Sequence, residues 1–197
     1  DAVKFQKRTV EKLAVATVLD ADDDRFPEFG STYREIRDHI EFGMDEYLEL
    51  KEYTEGKNLD FMVTAFDEDA VDFLEDVKVG CYKLASHSLT NLPLLDYLAR
   101  LRKPTILSTG MAEWEEIDRA VDIFKQHNAP LALLHCVSAY PTEEKDAHLG
   151  VIPRLQESFP NCIIGHSDHT NDIKVPLYAV AMGAQIVEKH FRTNEFM

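Results

Sequence analysis

The chain has 197 residues, 45% of them apolar, enough to bury one substantial core and fitting one domain or at most two. Its 36 Asp and Glu against 21 Lys and Arg leave a formal net charge of −15, which argues against a nucleic-acid backbone or an anionic membrane surface as partner. No apolar run approaches the roughly 18 residues of a spanning helix. Cys81, Cys136 and Cys162 are far apart and each lies in an apolar run. They read as small buried side chains in a reducing, cytoplasmic compartment and imply no disulfide framework.

In chain order, the first strand-like run is AVKFQ (2–6), almost directly at Asp1, so the natural amino terminus is expected further upstream. Residues 7–33 carry no strong period and read as a long loop, of the kind that is often functional. Within it, Asp20 to Asp24 is expected to be solvated, because it lacks the spaced oxygen ligands and turn glycine of a calcium loop. Further strand-like runs are DFMVTAF (60–66), CYKLAS (81–86), PTILSTG (104–110), LALLHCVSAY (131–140), NCIIGHSDH (161–169) and AQIVEKHF (184–191). Leu92, Leu95, Leu98 and Leu101 predict a helix with Asn91 as cap and Pro93 in the first turn. Trp114, Ile117, Ala120, Val121 and Phe124 predict another, with Trp114 as a packing anchor. Pro176 opens a third, through Ala181 and ended by Gly183.

Strands alternating with helices predict an α/β fold with a parallel sheet, since parallel strands need crossovers. An open nucleotide-binding sheet would show GxGxxG or GxxxxGK[ST], and neither occurs. Polar residues instead close each strand-like run, where a (β/α)8 TIM barrel collects its active site. Seven strands are one short of that barrel. Residues 1–197 are therefore read as one incomplete barrel with no second domain, its first strand–helix unit expected upstream of Asp1 and its last helix downstream of Met197.

Strand side chains alternate between faces, so parity sorts the polar residues. Lys4 shares a face with Gln6, Ser167 with His169, and Glu188 with His190, while Lys83 points opposite to Tyr82 and Leu84. Each strand can thus send a polar group toward one central cavity. Two histidines from adjacent strands suit a divalent metal with open positions for water and substrate oxygens. Lysines and hydroxyls suit phosphate or carboxylate. Together they suggest a small phosphorylated acid as substrate. His87, His127 and His148 read as loop or helix-end residues. His135 is equally compatible with packing and with ligand contact, His166 reads as structural, and Asp168 is expected to orient a histidine.

The ordered set VKFQ, KLAS, ILSTGM, LLHCVSAYPT, IGHSDHT and IVEKHF resembles the sialic acid synthase family over almost the whole chain. The resemblance implies a (β/α)8 catalytic barrel that condenses phosphoenolpyruvate with an N-acylated hexosamine such as N-acetylmannosamine and releases phosphate. His169 and His190 match metal-binding histidines, with Mn2+ or Mg2+ as the expected ion. Lys4, Lys83, Ser86, Ser108 and Ser167 match positions that hold phosphoenolpyruvate, and Gln6 and Tyr140 match positions lining the sugar site; Lys4, Lys83 and Tyr140 are the catalytic candidates. Ser138 stands where neuraminate enzymes often have asparagine, and Ser88 where many members have an acidic residue. These departures leave legionaminic and pseudaminic acid synthases open as readings. The family's glutamate near the first strand, its aspartate after the EKHF strand and its small carboxy-terminal domain fall outside this sequence. That implies a homodimer for a full-length protein and no activity for this stretch by itself. Two other readings are a metal-dependent hydrolase, which would show an early HxH that is not visible, and a non-catalytic sugar-phosphate-binding barrel.

Overall fold

The computed structural model describes residues 1–191 and divides the chain into two compact units, Asp1–Lys83 and Leu84–Met197. Within each unit the strands run parallel, and neighbours in the sheet are consecutive in the chain.

In the first unit, β1 (Ala2–Lys7) pairs with β2 (Asp60–Ala65), which pairs with the start of β3 (Tyr82–Leu84). Between β1 and β2 lie α1 (Val10–Leu13), α2 (Ala16–Leu19), α3 (Tyr33–Ile40) and α4 (Met44–Glu55); α5 (Glu68–Val77) follows β2. Val71, Leu74 and Val77 of α5 are buried, as are Val63 and Ala65 of β2. The Tyr47 ring of α4 meets Phe61 and Phe73 edge-on at 6.3 and 5.2 Å, and its hydroxyl donates to the Gln6 carbonyl at 2.6 Å. Residues 7–33, expected as loop, contain α1, α2 and an isolated bridge from Asp22 to Thr32. Helices of four residues are too short to write a 3.6-residue period, and packing holds them instead. Val10 and Leu19 are buried, and Asp67, while capping α5 at Ala70, accepts from the Thr9 N–H and hydroxyl at 2.8 and 2.7 Å. The acidic stretch is tied by arginines, Asp20 to Arg34 and Asp23 to Arg25.

In the second unit, β4 (Thr105–Ser108), β5 (Leu131–Cys136), β6 (Ile163–Asp168) and β7 (Val187–Lys189) alternate with α6 (Leu92–Leu101), α7 (Trp114–Gln126), α8 (Val151–Ser158) and α9 (Lys174–Ala181). Asn91 caps α6 by accepting from the Leu94 N–H at 3.3 Å, with Pro93 in the first turn. The buried face of α6 is Leu94, Leu95, Leu98 and Ala99; Leu92 is exposed, because the helix only starts there and its first turn lies outside the packed stripe. In α7, Ile117, Ala120 and Phe124 are buried, and Trp114 lies 6.3 Å from Phe159 with the Arg154 guanidinium 4.3 Å from its ring. Gly165 lets β6 approach its neighbour closely, since a Cβ there would fall 2.4 Å from the Ile186 carbonyl oxygen. Strand structure stops at Cys136, Asp168 and Lys189, so Ser138, Tyr140, His169 and His190 lie just past strand ends, where pleat parity no longer fixes direction.

Candidate active site

In the first unit, the register aligns Gln6 with Thr64 and Thr64 with Lys83. Register partners on parallel strands point to the same face, so these three side chains form one row. Lys4 lies on that face one pleat earlier, its Nζ 3.3 Å from the Thr64 hydroxyl. Lys83 is 3% exposed, too deep for a lysine that serves solubility. The Arg8 guanidinium donates to the Gln6 side-chain carbonyl, which fixes the amide's orientation.

In the second unit the register aligns Cys136 with Ser167 and Ser167 with Glu188. The Ser167 hydroxyl donates to Glu188 Oε2 at 2.6 Å. Immediately beyond, His169 Nδ1 lies 2.7 Å from the Val137 carbonyl oxygen and 3.9 Å from Cys136 Sγ. The carbonyl can only accept, so Nδ1 carries the proton and Nε2 presents a lone pair. The His190 ring is 5.4 Å from His169, and the Tyr140 ring is 3.9 Å from His169 and 5.8 Å from His190. Across the floor, the Gly110 N–H donates to the Ser86 hydroxyl at 3.0 Å. A Cβ at Gly110 would meet Ser138 Oγ at 2.5 Å and Ser86 Oγ at 2.9 Å, so a glycine there lets both hydroxyls close on the chain. Ser108 is buried at the end of β4.

Burial opposes charging both Cys136 and His169, but their contact reverses it. The thiol, bonded also to Ser86 and Ser167, is held below its ordinary pKa. The imidazolium, aided by the Val137 carbonyl and Glu188, is held above its own. Burial and the negative charge of Cys136 and Glu188 push the Tyr140 phenol up.

The structure thus brings Lys4, Gln6 and Lys83 together in the first unit, and Ser86, Ser138, Tyr140, Ser167, His169 and His190 in the second. His135 resolves to packing: its Nε2 donates to the Ala147 carbonyl at 2.7 Å and its ring stacks on His166 at 5.5 Å. His166 Nδ1 is bound to the His135 carbonyl at 3.0 Å. The histidine that Asp168 was expected to orient is His166. With even parity Asp168 faces that ring, 3.4 Å from Nε2, and accepts from Lys189 and the Thr170 hydroxyl. Three site residues, Thr64, Gly110 and Cys136, were not singled out from the sequence, and Glu188 was noted only for sharing a face with His190. Thr64 carries the right parity and could have been found; Gly110 lies inside the ILSTGM stretch with no separate signal; Cys136, read as a buried hydrophobe, had none in its apolar run. All three cysteines are free, and burial raises the thiol pKa of Cys81, to about 11, and of Cys162. Among the described residues no group of three or more His, Cys, Asp or Glu side chains is arranged to hold a metal ion, and no helix is long and apolar enough to cross a membrane.

Parallel strands, intervening helices and polar groups at the strand ends define an α/β protein of the barrel class. The whole chain, residues 1–197, matches the NeuB family, and the protein belongs to that family. It is 37% identical to an N-acetylneuraminate-9-phosphate synthase of Drosophila melanogaster over 98% of this chain and 52% of that one. It is also 37% identical to an N,N'-diacetyllegionaminic acid synthase of Legionella pneumophila, over 99% of this chain and 56% of that one. The crystal structure of an N-acetylneuraminic acid (sialic acid) synthetase from Leptospira borgpetersenii in complex with citrate superposes with a TM-score of 0.83 at 37% identity, covering 98% of this chain and 63% of that one. The chain spans about half the length of the curated relatives it matches. The barrel class expected from the strand pattern therefore holds.

Proposed function

We propose that the protein of which this chain is part condenses phosphoenolpyruvate with an N-acylated hexosamine, such as N-acetylmannosamine, to give a sialic or related nonulosonic acid and phosphate. Relatives named as neuraminate-phosphate and legionaminic acid synthases support the reaction class. The observation that carries the reading is His169, whose ring is fixed by the Val137 carbonyl so that Nε2 is presented beside His190 and Tyr140. In the reaction, carbon 3 of phosphoenolpyruvate bonds to the sugar's aldehyde carbon, water adds at carbon 2, and the bond from carbon 2 to the phosphate oxygen breaks.

Lys4 and Lys83 neutralise the phosphate and carboxylate of phosphoenolpyruvate, Lys83 from a dry position where fixed charge acts more strongly than in water. The Ser86, Ser108 and Ser167 hydroxyls of the second unit match the family's positions for phosphoenolpyruvate, and Ser138 and Ser86 both close on Gly110. Gln6 of the first unit and Tyr140 of the second each match a position that lines the sugar site in the family. The donor set suits a divalent ion: with metal–nitrogen bonds of about 2.1 Å, two imidazoles on one ion keep their ring centres within about 6 Å of each other, and His169 and His190 are 5.4 Å apart. Mn2+ or Mg2+ held there would act as a Lewis acid on the aldehyde oxygen. Glu188 accepts the Ser167 hydroxyl's hydrogen bond and so fixes the direction of that hydroxyl.

The test is phosphate release from phosphoenolpyruvate by the full-length protein, with manganese and a panel of N-acylated hexosamines. Turnover of one or more is expected. Turnover of none by folded, metal-loaded protein moves the reading to a sugar-phosphate-binding barrel.

A further inference from the structure

β6 and β7 end at Asp168 and Lys189, and the two histidines follow immediately, where the pleat no longer sets side-chain direction. Something besides the strands must hold His169 beside His190. Asp168 and Lys189 are register partners on the face opposite to Ser167 and Glu188, and neither has a part in the scheme above. The Lys189 ammonium donates to Asp168 Oδ2 and, at 2.6 Å, to the Thr170 carbonyl. From the residue that precedes His190 it thus grips the chain on both sides of His169. Asp168 also accepts from the Thr170 hydroxyl, at 3.0 and 2.9 Å to its two oxygens, and from the Thr170 N–H at 3.3 Å, while Oδ1 lies 3.4 Å from His166 Nε2. The Thr142 N–H donates to the His169 carbonyl at 3.0 Å. Residues 168, 169 and 170 are each tied down.

The Asp168 side chain is 1% exposed and that of Lys189 30%. A carboxylate that deep does not serve solubility, and without the ammonium it would stand uncompensated. The geometric tolerance is small. A strand advances about 3.3 Å per residue, and the two rings are 5.4 Å apart against the roughly 6 Å that one ion permits. One residue of slip between the ends of β6 and β7 would carry the imidazoles past that limit, and the same slip would part Asp168 from Lys189. The ion pair and the imidazole pair therefore belong to one register.

We propose that Asp168 and Lys189 are positioning residues: their ion pair, extended through Thr170, holds the ends of β6 and β7 so that His169 and His190 meet one divalent ion. The proposal rests on the metal reading of those histidines and not on the identity of the sugar. The experiment uses full-length protein and manganese alone, with no substrate. Mn2+ affinity is titrated by electron paramagnetic resonance, counting only the binding that His169→Ala removes, and the imidazole nitrogens on the ion are counted from their couplings to its electron spin. Wild type is expected to show two nitrogens. Lys189→Met is expected to lose about ten-fold or more in affinity and one of the two nitrogens, while Lys189→Arg, which keeps a donor to Asp168, should recover most of both. Asp168→Asn combined with Lys189→Met leaves no unpaired buried charge, stays folded by circular dichroism and should bind manganese as weakly as Lys189→Met, so the loss is not one of folding. Two nitrogens and unchanged affinity in Lys189→Met, or wild-type binding in the double variant, overturn the positioning role and leave the metal reading standing. No His169-dependent binding by wild type overturns both. If no hexosamine is turned over while manganese binds, the condensation reading fails by itself, and the manganese comparison still decides the role of the pair.

Discussion

The two units carry matching rows with opposite chemistry. Gln6, Thr64 and Lys83 align across three strands of the first, with Lys4 reaching into the row; Cys136, Ser167 and Glu188 align across three strands of the second, with His169 and His190 just past its strand ends. One row ends in buried positive charge, the other in a carboxylate and lone pairs. Parallel pairing decides which side chains meet, and the residue types placed at that level decide whether they hold an anion or a cation. A global charge of −15 is therefore no guide to the field at either row.

The largest break in this contrast is Lys83→Met in the full-length protein. Removing a preorganised charge is expected to lower kcat/KM by about 10²–10³-fold, with the protein still folded by circular dichroism. Activity within ten-fold of wild type would place the anion elsewhere. On the other row, chelation should abolish activity and manganese restore it, whereas His169→Ala should not recover at the same manganese concentration; full, chelator-insensitive turnover by His169→Ala refutes the metal assignment.

Gly165→Ala tests packing rather than chemistry. Its Cβ would meet the Ile186 backbone oxygen, which cannot rotate away as a side chain can, and a stability loss of about 1–3 kcal/mol is expected by denaturant unfolding. An unchanged midpoint would mean that the strands part freely. The smallest effect is acid sensitivity. His135 and His166 of the second unit have pKa values lowered chiefly by burial, so the unfolded chain binds protons first. Their contribution is complete above the unfolded histidine pKa of about 6.5 and declines as the pH falls below it. Melting followed by Trp114 fluorescence should shift down between about pH 7.5 and about pH 5.5, and His135→Phe should flatten that shift; a wild-type curve flat over the range contradicts it.

Strand order and the longer helices were legible because Ile117, Ala120 and Phe124 repeat at helical spacing and each apolar run ends in polar residues. Lys4, Lys83, His169 and His190 were legible as chemically odd residues at strand ends. α1 and α2 were not, since four residues cannot display a period, and Thr9 at the start of α1 is held by Asp67, far along the chain. Cys136 was invisible for a different reason: its chemistry comes from a histidine 33 positions later, and only folding puts them together. Asp168 was legible only as the partner of a histidine, because adjacency in GHSDHT offers two and only the pleat selects His166.

The bond that fixes His169 is accepted by the main chain at Val137. Every amino acid supplies that oxygen, so exchanging the valine cannot delete the bond, and a saturation mutagenesis map should be tolerant at 137 beside an intolerant 169. The orientation of the imidazole is in this sense insured against point mutation, and its vulnerability lies in the path of the backbone after β5.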